Sequence, residues 1–293
     1  MNLFDWTRLI ILSLLWGGSY TWIELALIEL DPMMIVFYRV LISSIFLILI
    51  CKVLSLTFKI EKKIFIFLFF MSLTNNVIPF NLIAWGQQEI TASVGSILNA
   101  TTPLFTVIIA NYWPNGEKAT LNRIFGVIIG FCGVILLMGL SIHDIDNSII
   151  GQGAILLAAI SYAISALIGK EIKKIHPAIS ATYMLSISSV VLLPIILLSG
   201  NELIPQASKQ SMIAILGLAI FSTSLAYLIF YKLIENIGSN VMLVTLLMPV
   251  SAILLSIIIL NEAINTTQII GLILILTGLI LVDGRALNFF KRY

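Results

Sequence analysis

The sequence predicts an all-α membrane protein of ten transmembrane helices, arranged as two inverted five-helix repeats with both termini in the cytoplasm. Three observations lead to this prediction. Apolar residues recur in runs long enough to cross a bilayer, Lys and Arg fall almost entirely on one side of those runs, and the second half of the chain repeats the pattern of the first. The observations predict, in turn, the number of spans, their orientation and their symmetry.

Hydropathy predicts the number of spans. Of the 293 residues, 60% are hydrophobic and 10% are charged, and the mean hydropathy is +1.10. A chain of this composition cannot cover itself with polar surface, so we expect a lipid bilayer around it. At about 1.5 Å per residue, a helix of roughly 20 apolar residues crosses a hydrocarbon core of about 30 Å. Ten such runs are present, at residues 7–29, 32–52, 64–86, 91–113, 121–140, 150–169, 177–199, 211–231, 238–260 and 266–284.

The distribution of Lys and Arg predicts the orientation, because cytoplasmic loops near membrane spans carry an excess of both residues. With a cytoplasmic N-terminus, the outer loops contain only Lys209. The inner segments contain Arg8, Lys52, Lys59, Lys62, Lys63, Lys118, Arg123, Lys170, Lys173, Lys174, Lys232, Arg285, Lys291 and Arg292. We therefore expect a multi-pass protein of the cell (inner) membrane. The net charge of +2 reflects this topology, and no nucleic-acid partner is expected.

The sequence also repeats itself, with residues 1–145 as the first copy and residues 146–293 as the second. Each copy has an odd number of spans, so the second copy must enter the membrane upside down relative to the first. Inverted repeats of this kind are typical of secondary transporters, whose substrate site lies near the midplane between the halves. Aligned pairs, at an offset of 145 or 146 residues, include Pro32 with Pro177, Tyr38 with Tyr183, Ser43 with Ser188, Pro103 with Pro249 and Glu117 with Glu262.

Several segments of the chain resemble the EamA family of the drug/metabolite transporter superfamily. They are LLWGGSYTWIELAL (14–27), the Tyr-Arg of the second run, residues 91–120 with their Pro and later Glu, and residues 239–281. The resemblance spans nearly the whole chain and implies ten helices in two inverted repeats. It also implies export or exchange of small metabolites, such as amino acids or amphipathic compounds; an uptake permease is the alternative. The family often has Lys where this chain has Glu24, so no inherited role is assigned to that position.

Arg39 is a charge inside the second apolar run, and an ionisable residue within a membrane span is a functional hypothesis by default. Its aligned partner in the second copy is Met184, so the fold does not require a cation there. Glu24 and Arg39 lie about equally far from the turn at 31–32, roughly 11 Å inside the outer end. Two interpretations stay open. The two charges neutralise each other, or Arg39 binds a substrate carboxylate while Glu24 takes a substrate amine or a proton.

Polar and aromatic residues within the runs are candidates for a substrate cavity, because they offer flat apolar faces or hydrogen-bonding groups to an amphipathic solute. For three of them, Trp16, Asn81 and Tyr227, ordinary helix packing is an equal alternative. Pro103 and Pro249 each remove a helical hydrogen bond and are the predicted hinges, with static kinks as the alternative. The cavity candidates are Trp16, Tyr20, Glu24, Arg39, Asn81, Asn99, Tyr162, Ser222 and Tyr227.

Other classes of function lack their sequence signals. His143 and His176 lie in or beside loops and no paired acidic motif stands at helical spacing, so we expect no catalytic site, metal or cofactor. No ring of charges or filter loop indicates a channel, and no phosphate-binding loop indicates direct use of ATP. The expected driving force is a gradient of the substrate or of a coupled ion or proton. The spacing Gly126-x3-Gly130 permits close helix packing, within one chain or in a homodimer.

Overall fold

The structure is a computed structural model that describes residues 2–114, 116–138, 147–170, 175–200 and 207–284. Within these ranges ten helices are long and apolar enough to cross a membrane, which confirms the predicted number of spans. His143 and the predicted inner cations Lys173, Lys174, Arg285, Lys291 and Arg292 lie outside the described residues. The helices are α1 (Leu3–Leu27), α2 (Pro32–Val53), α3 (Lys62–Gly86), α4 (Ala92–Tyr112), α5 (Leu121–Met138), α6 (Ser148–Gly169), α7 (Pro177–Leu198), α8 (Lys209–Ile237), α9 (Asn240–Leu260) and α10 (Thr266–Asp283).

The helices differ from the apolar runs mainly at their ends, where capping rather than hydropathy decides. α8 continues past the run at 211–231 through the more polar residues 232–236. It ends before Gly238, whose φ of 56° is accessible to glycine but strained for most other residues. α2 begins directly after Asp31, because that carboxylate accepts a hydrogen bond from the backbone N–H of Met33 at 2.9 Å.

The packing of the helices is symmetric under exchange of the two halves. α2 packs against α7 and α5 packs against α10, and these are helices that the sequence alignment pairs with one another. α1 packs against α9 as α6 packs against α4, and α2 packs against α8 as α7 packs against α3. Each of these contacts therefore has a counterpart with the halves exchanged, and the inversion of the second copy stays a prediction.

Glycines bring two pairs of helices into backbone contact. A Cβ added to Gly126 of α5 would lie 2.6 Å from the backbone oxygen of Gly278 in α10, and one added to Gly17 of α1 would lie 2.7 Å from the backbone nitrogen of Ala252 in α9. A Cβ on Gly130 would overlap a leucine of α4. The glycines of α5 thus permit close helix packing within this chain.

Within the described residues, three helices contain π-helical turns. α3 and α8 widen into π-helical turns at Leu73–Val77 and Gly217–Leu225, which are aligned segments of the two copies. α9 ends in a third π-helical turn, Ser256–Leu260, before Asn261 takes up left-handed backbone angles. Turns of this kind interrupt the regular hydrogen-bond ladder and are frequent at functional sites.

The two predicted hinge prolines occupy different local structures. In α4 the first helical piece ends at Asn99 and a second begins at Thr102, so Pro103 stands in the first turn after a break. Pro249 lies inside the continuous helix Val244–Leu255 and is buried. Of the two, only Pro249 removes a hydrogen bond from the interior of a helix. Pro103 removes none, because the N–H groups in the first turn of a helix have no partners within that helix.

Candidate functional site

A cavity of about 220 Å³ lies between α1–α4 of the first half and α6, α8 and α9 of the second half. Its wall is mainly apolar and aromatic, with a few polar groups that point inward from α2, α4 and α8. A concave, largely apolar site with a small number of placed polar groups is the usual form of a small-molecule site. Its position between the halves is where the inverted repeat predicts a substrate site.

Most of the sequence candidates line this cavity, but three do not. Those in the lining are Trp16, Tyr20, Arg39, Asn99, Tyr162, Ser222, Tyr227 and the hinge candidate Pro103. Glu24, Asn81 and Pro249 are not part of it. Asn81 donates a hydrogen bond from Nδ2 to the backbone oxygen of Val77 at 2.7 Å, so its amide is used within α3.

Arg39 lies at the wall of the cavity and is only 7% exposed. Its Nε donates a hydrogen bond to Oγ1 of Thr223 at 2.9 Å, and its guanidinium carbon lies 3.6 Å from the ring centroid of Phe80. The hydrogen bond comes from the π-helical segment of α8 and the ring comes from α3. Two elements from different halves therefore hold the guanidinium plane in place.

The proposed neutralisation of Arg39 by Glu24 is wrong in this structure. No ion pair within 4.0 Å joins the two side chains, although both residues lie at similar depth. Glu24 instead accepts a hydrogen bond from Nε2 of Gln87 at 3.2 Å, and the same amide group donates to the backbone oxygen of Tyr20 at 3.0 Å. Equal depth does not determine contact, because rotation about the helix axes turns Glu24 toward the end of α3 and Arg39 toward α8.

Two polar atoms at the cavity lack partners among the described residues. Oδ1 of Asn99 and Oγ of Ser222 are buried and form no hydrogen bond. By contrast, the hydroxyl of Tyr227 accepts a hydrogen bond from Nδ2 of Asn75 at 2.7 Å and lies 3.3 Å from Oδ1 of Asn76. A buried polar atom without a hydrogen-bond partner is costly, so these two oxygens, in Asn99 and Ser222, are available for hydrogen bonds to a bound solute.

Sequence reasoning missed several residues of the lining. Phe80 and Phe230 look like any other phenylalanine of an apolar run, so nothing in the sequence separates them from lipid-facing residues. Thr223 adjoins the candidate Ser222, and both lie in the π-helical turn of α8 and line the cavity. Thr102 and Thr245 flank the predicted hinges and are polar, which is the one signal that could have identified them.

The cavity is more buried toward one end of the bundle than toward the other. We name the ends by a glutamate: the Glu262 end holds the loops at 28–31, 87–91 and 261–265, and the Glu117 end holds the loops at 54–61 and 113–120. Lining residues near the Glu262 end, such as Ile23 and Ile83, are 1% and 4% exposed. Three lining residues toward the Glu117 end are half-buried: Tyr162, Phe230 and Thr245. Each lies five to seven residues from the end of its helix on that side. The lining residues toward the Glu117 end are therefore the more exposed ones.

Glu262 caps the start of α4 at its end of the bundle. Its carboxylate accepts hydrogen bonds from the backbone N–H groups of Ala92 at 2.9 Å and Ser93 at 3.2 Å, and from the hydroxyl of Ser93. The hydroxyl of Ser256, at the end of α9, lies within hydrogen-bonding distance of Ser93 as well. The first N–H groups of a helix have no internal partners and carry a partial positive charge, so a carboxylate is well matched to them. This contact ties the second half to the first.

A second carboxylate joins the halves at the same end. Glu29, in the loop after α1, accepts hydrogen bonds from the backbone N–H of Ser208 at 2.7 Å and from the hydroxyl of Ser211 at 2.9 Å. These hydrogen bonds, chiefly the one from the Ser208 backbone, lower the pKa of the Glu29 carboxyl. The contact therefore favours ionised Glu29.

The Glu117 end is held by exposed ion pairs. Oε2 of Glu117 lies 3.0 Å from Arg123 and Oε1 lies 3.4 Å from Lys170 of the second half. The hydrogen bond from Arg123, with the charge of Lys170, lowers the pKa of the Glu117 carboxyl. The Glu117 side chain is 61% exposed, and ion pairs of this kind hold structures together only weakly.

Comparison with known proteins agrees with this architecture. The chain is 25% identical over 278 residues to the uncharacterized transporter YoaV of Bacillus subtilis, covering 92% of this chain and 94% of that protein. It is 25% identical over 279 residues to an uncharacterized transporter of Archaeoglobus fulgidus, covering 93% and 94%. The WAT1-related protein At3g02690, chloroplastic, of Arabidopsis thaliana is 28% identical over 211 residues, which cover 69% of this chain and 50% of that protein.

A solved structure titled only as the crystal structure of a protein shares the fold, with a TM-score of 0.70 at 14% identity over 99% of both chains. The sequence profile described as the EamA-like transporter family matches twice, at residues 7–139 and 149–283. The two matches together cover nearly the whole chain. The protein is therefore a multi-pass membrane transporter of small molecules that belongs to the EamA-like transporter family.

Proposed function

We propose that the protein is a secondary transporter that exports small amphipathic metabolites across the cell (inner) membrane by alternating access, with the central cavity as its substrate site. The observation that carries this proposal is the cavity itself, which lies between the halves, with the Glu262 cap on α4 at one end and more exposed lining residues toward the other end. Such asymmetry is what one state of an alternating-access cycle requires. The Lys and Arg bias supports the assignment of the Glu117 end to the cytoplasm.

The aligned positions at the two ends suggest how the opposite state is built. The two copies align Glu262 with Glu117, and they align Ala92 and Ser93 with Gly238 and Ser239 at the start of α9. In the opposite state Glu117 leaves its exposed ion pairs and caps α9, while Glu262 releases α4. The free energy lost with the cap on α4 is then recovered with the cap on α9, so the two states can be similar in free energy.

The moving parts in this cycle are the irregular helices. The break after Asn99 in α4 and the proline of α9, Pro249, lie on the two helices that the glutamates cap in turn. The π-helical turns of α3 and α8 allow those helices to bend beside the cavity. The driving force is a gradient, either of the substrate or of a coupled ion or proton.

A cross-linking experiment tests alternating access. Cysteines at Glu29 and Ser211, in a protein without Cys51 and Cys132, are joined by a short bifunctional reagent across the Glu262 end. After reconstitution into liposomes with a panel of amino acids, organic acids, nucleosides and cationic drugs, we expect the cross-link to abolish transport and its cleavage to restore it. Either single-cysteine protein, treated with the same reagent, is the matched control. Undiminished transport in the cross-linked protein would refute alternating access.

A further inference from the structure

The charges and open hydrogen-bonding groups of the cavity restrict the kind of solute that it accepts. Among the described residues of its lining, Arg39 is the only charged side chain. Glu24, the nearest candidate to balance it by sequence, is bonded to Gln87 outside the lining. The cavity therefore presents one positive charge without a protein carboxylate to offset it.

The guanidinium of Arg39 is fixed in place but not saturated. Its Nε donates to Thr223 and its face lies over Phe80, so the orientation of the plane is set from two sides. Neither Nη atom forms a hydrogen bond or an ion pair with any residue that the structure describes. A guanidinium offers parallel N–H groups that match a carboxylate, and a buried cation without a counter-ion is costly. The free edge of Arg39 is thus a preformed anion site.

The rest of the wall suits an apolar, preferably aromatic, body. Trp16 lies 5.1 Å from Phe230 between ring centroids, and Tyr227 is stacked on Tyr231 at 5.9 Å, so flat rings from α1 and α8 face the cavity or lie beside it. Oδ1 of Asn99 and Oγ of Ser222 remain for one neutral hydrogen bond each. No carboxylate is present in the described lining to receive an ammonium group.

We propose that the substrates are small organic monoanions, in which a carboxylate binds the free edge of Arg39 and an apolar or aromatic body packs against the rings of α1 and α8. This inference rests on the proposed transport function and narrows it. A zwitterionic amino acid binds more weakly than the matching acid, because its ammonium group loses water and gains no counter-ion. Cationic solutes are repelled by Arg39.

Binding of a matched set of probes to the purified protein tests the proposal directly. The probes are 3-phenylpropionate, its neutral amide, phenylalanine, which adds an ammonium group, and 2-phenylethylamine, which lacks the carboxylate. Acetate at the same ionic strength supplies the charge without the ring. We expect 3-phenylpropionate to raise the unfolding temperature most and to compete best in binding. Equal shifts for the acid and its amide, no shift with any probe, or a preference for the amine would overturn the proposal.

Arg39→Met is the informative variant, because the second copy of the repeat has Met184 at the aligned position, where it is 1% exposed. Replacing an unpaired buried cation by an apolar side chain of similar length should preserve folding and raise the unfolding temperature of the empty protein. Affinity for 3-phenylpropionate should fall by about tenfold or more, with little change for the amide. Unchanged affinity for the acid would contradict the assignment.

Two further variants keep the test decisive. Thr223→Val removes the acceptor that orients Arg39 and should weaken binding of the acid more than binding of the amide. Arg8→Met removes a cation that is not part of the cavity lining and should change neither. Binding and transport are measured separately. Transport of neutral or cationic solutes alone would overturn this inference and leave the proposed function standing. Binding of the acid without any transport would overturn the proposed function and leave this inference standing.

Discussion

At one end of the bundle Glu262 accepts three hydrogen bonds from the start of α4, and at the other end the aligned Glu117 is 61% exposed and pairs with Arg123 and Lys170. The same residue type, at the same place in two aligned copies, thus has two environments. A carboxylate that caps a helix and is half-buried stabilises one arrangement, whereas an exposed pair stabilises little. The asymmetry of the structure therefore lies at the ends of α4 and α9, whereas the packing of the two helices is similar.

We expect the largest effect from Glu262→Gln, which weakens the cap on α4. The amide keeps the size of the side chain but cannot accept all three hydrogen bonds as a charged group, so we expect a loss of about 2 kcal/mol in stability. The midpoint of thermal unfolding in detergent measures this loss. A cysteine at Asn99, in a background without the native cysteines, should also react faster with an impermeant reagent added from the Glu262 end. If Glu262→Gln changes neither the midpoint of unfolding nor the labelling rate, the Glu262 contact does not close that end of the cavity.

Glu117→Gln should have the opposite pattern. Its ion pairs are exposed, so we expect stability to fall by less than about 1 kcal/mol. Transport in liposomes should nevertheless slow several-fold, because the opposite state loses the cap on α9. Arg123→Gln is the matched control: it removes the same ion pair but leaves the carboxylate free to cap. Equal slowing in both variants would mean that only the ion pair matters.

The prolines of α4 and α9 should also differ in their effect on transport. Pro249→Ala restores a hydrogen bond inside a continuous helix and should stiffen it, which we expect to change the transport rate without loss of folded protein. Pro103→Ala should have the smaller effect, because the first turn after the break offers that N–H no helical acceptor. Transport rates measured at matched protein levels show which of the two variants has the larger effect. A larger effect at Pro103 would place the hinge at the break after Asn99 in α4 rather than at Pro249.

Acidification should produce the smallest effect, at the Glu262 end. Because the pKa of Glu29 is lowered in the folded protein, its hydrogen bonds to Ser208 and Ser211 contribute above the ordinary pKa of a glutamate and are lost as the pH falls through the lowered value. The reaction of any thiol slows toward acidic pH, because the thiolate is the nucleophile. Relative to a free thiol at each pH, the labelling rate of the Asn99 cysteine from this end should therefore rise modestly toward acidic pH. Glu29→Gln should reduce that pH dependence. A pH dependence that is unchanged in Glu29→Gln would show that other carboxylates control this end.

The elements of the fold could be predicted because hydropathy acts locally. The bilayer demands an apolar run for each span, so the ten runs became ten helices with shifts of only a few residues at most ends. The largest shift, at the end of α8, came from a glycine rather than from hydropathy. Polar and aromatic residues inside the runs also predicted much of the cavity, including Arg39, Asn99 and Tyr162, because polar groups in a span avoid lipid.

Hydropathy and sequence similarity were thus sufficient to predict the number of spans, the family and a set of candidate residues, most of which line the cavity. Only the tertiary structure decided that Arg39 meets Thr223 and Phe80 instead of Glu24, and that Glu262 caps α4 while Glu117 does not cap α9. The physical reason is that these helices are apolar on nearly all faces, so the sequence does not encode how each is rotated about its axis. That rotation is set by close packing between residues far apart in the chain, such as Gly17 against Ala252.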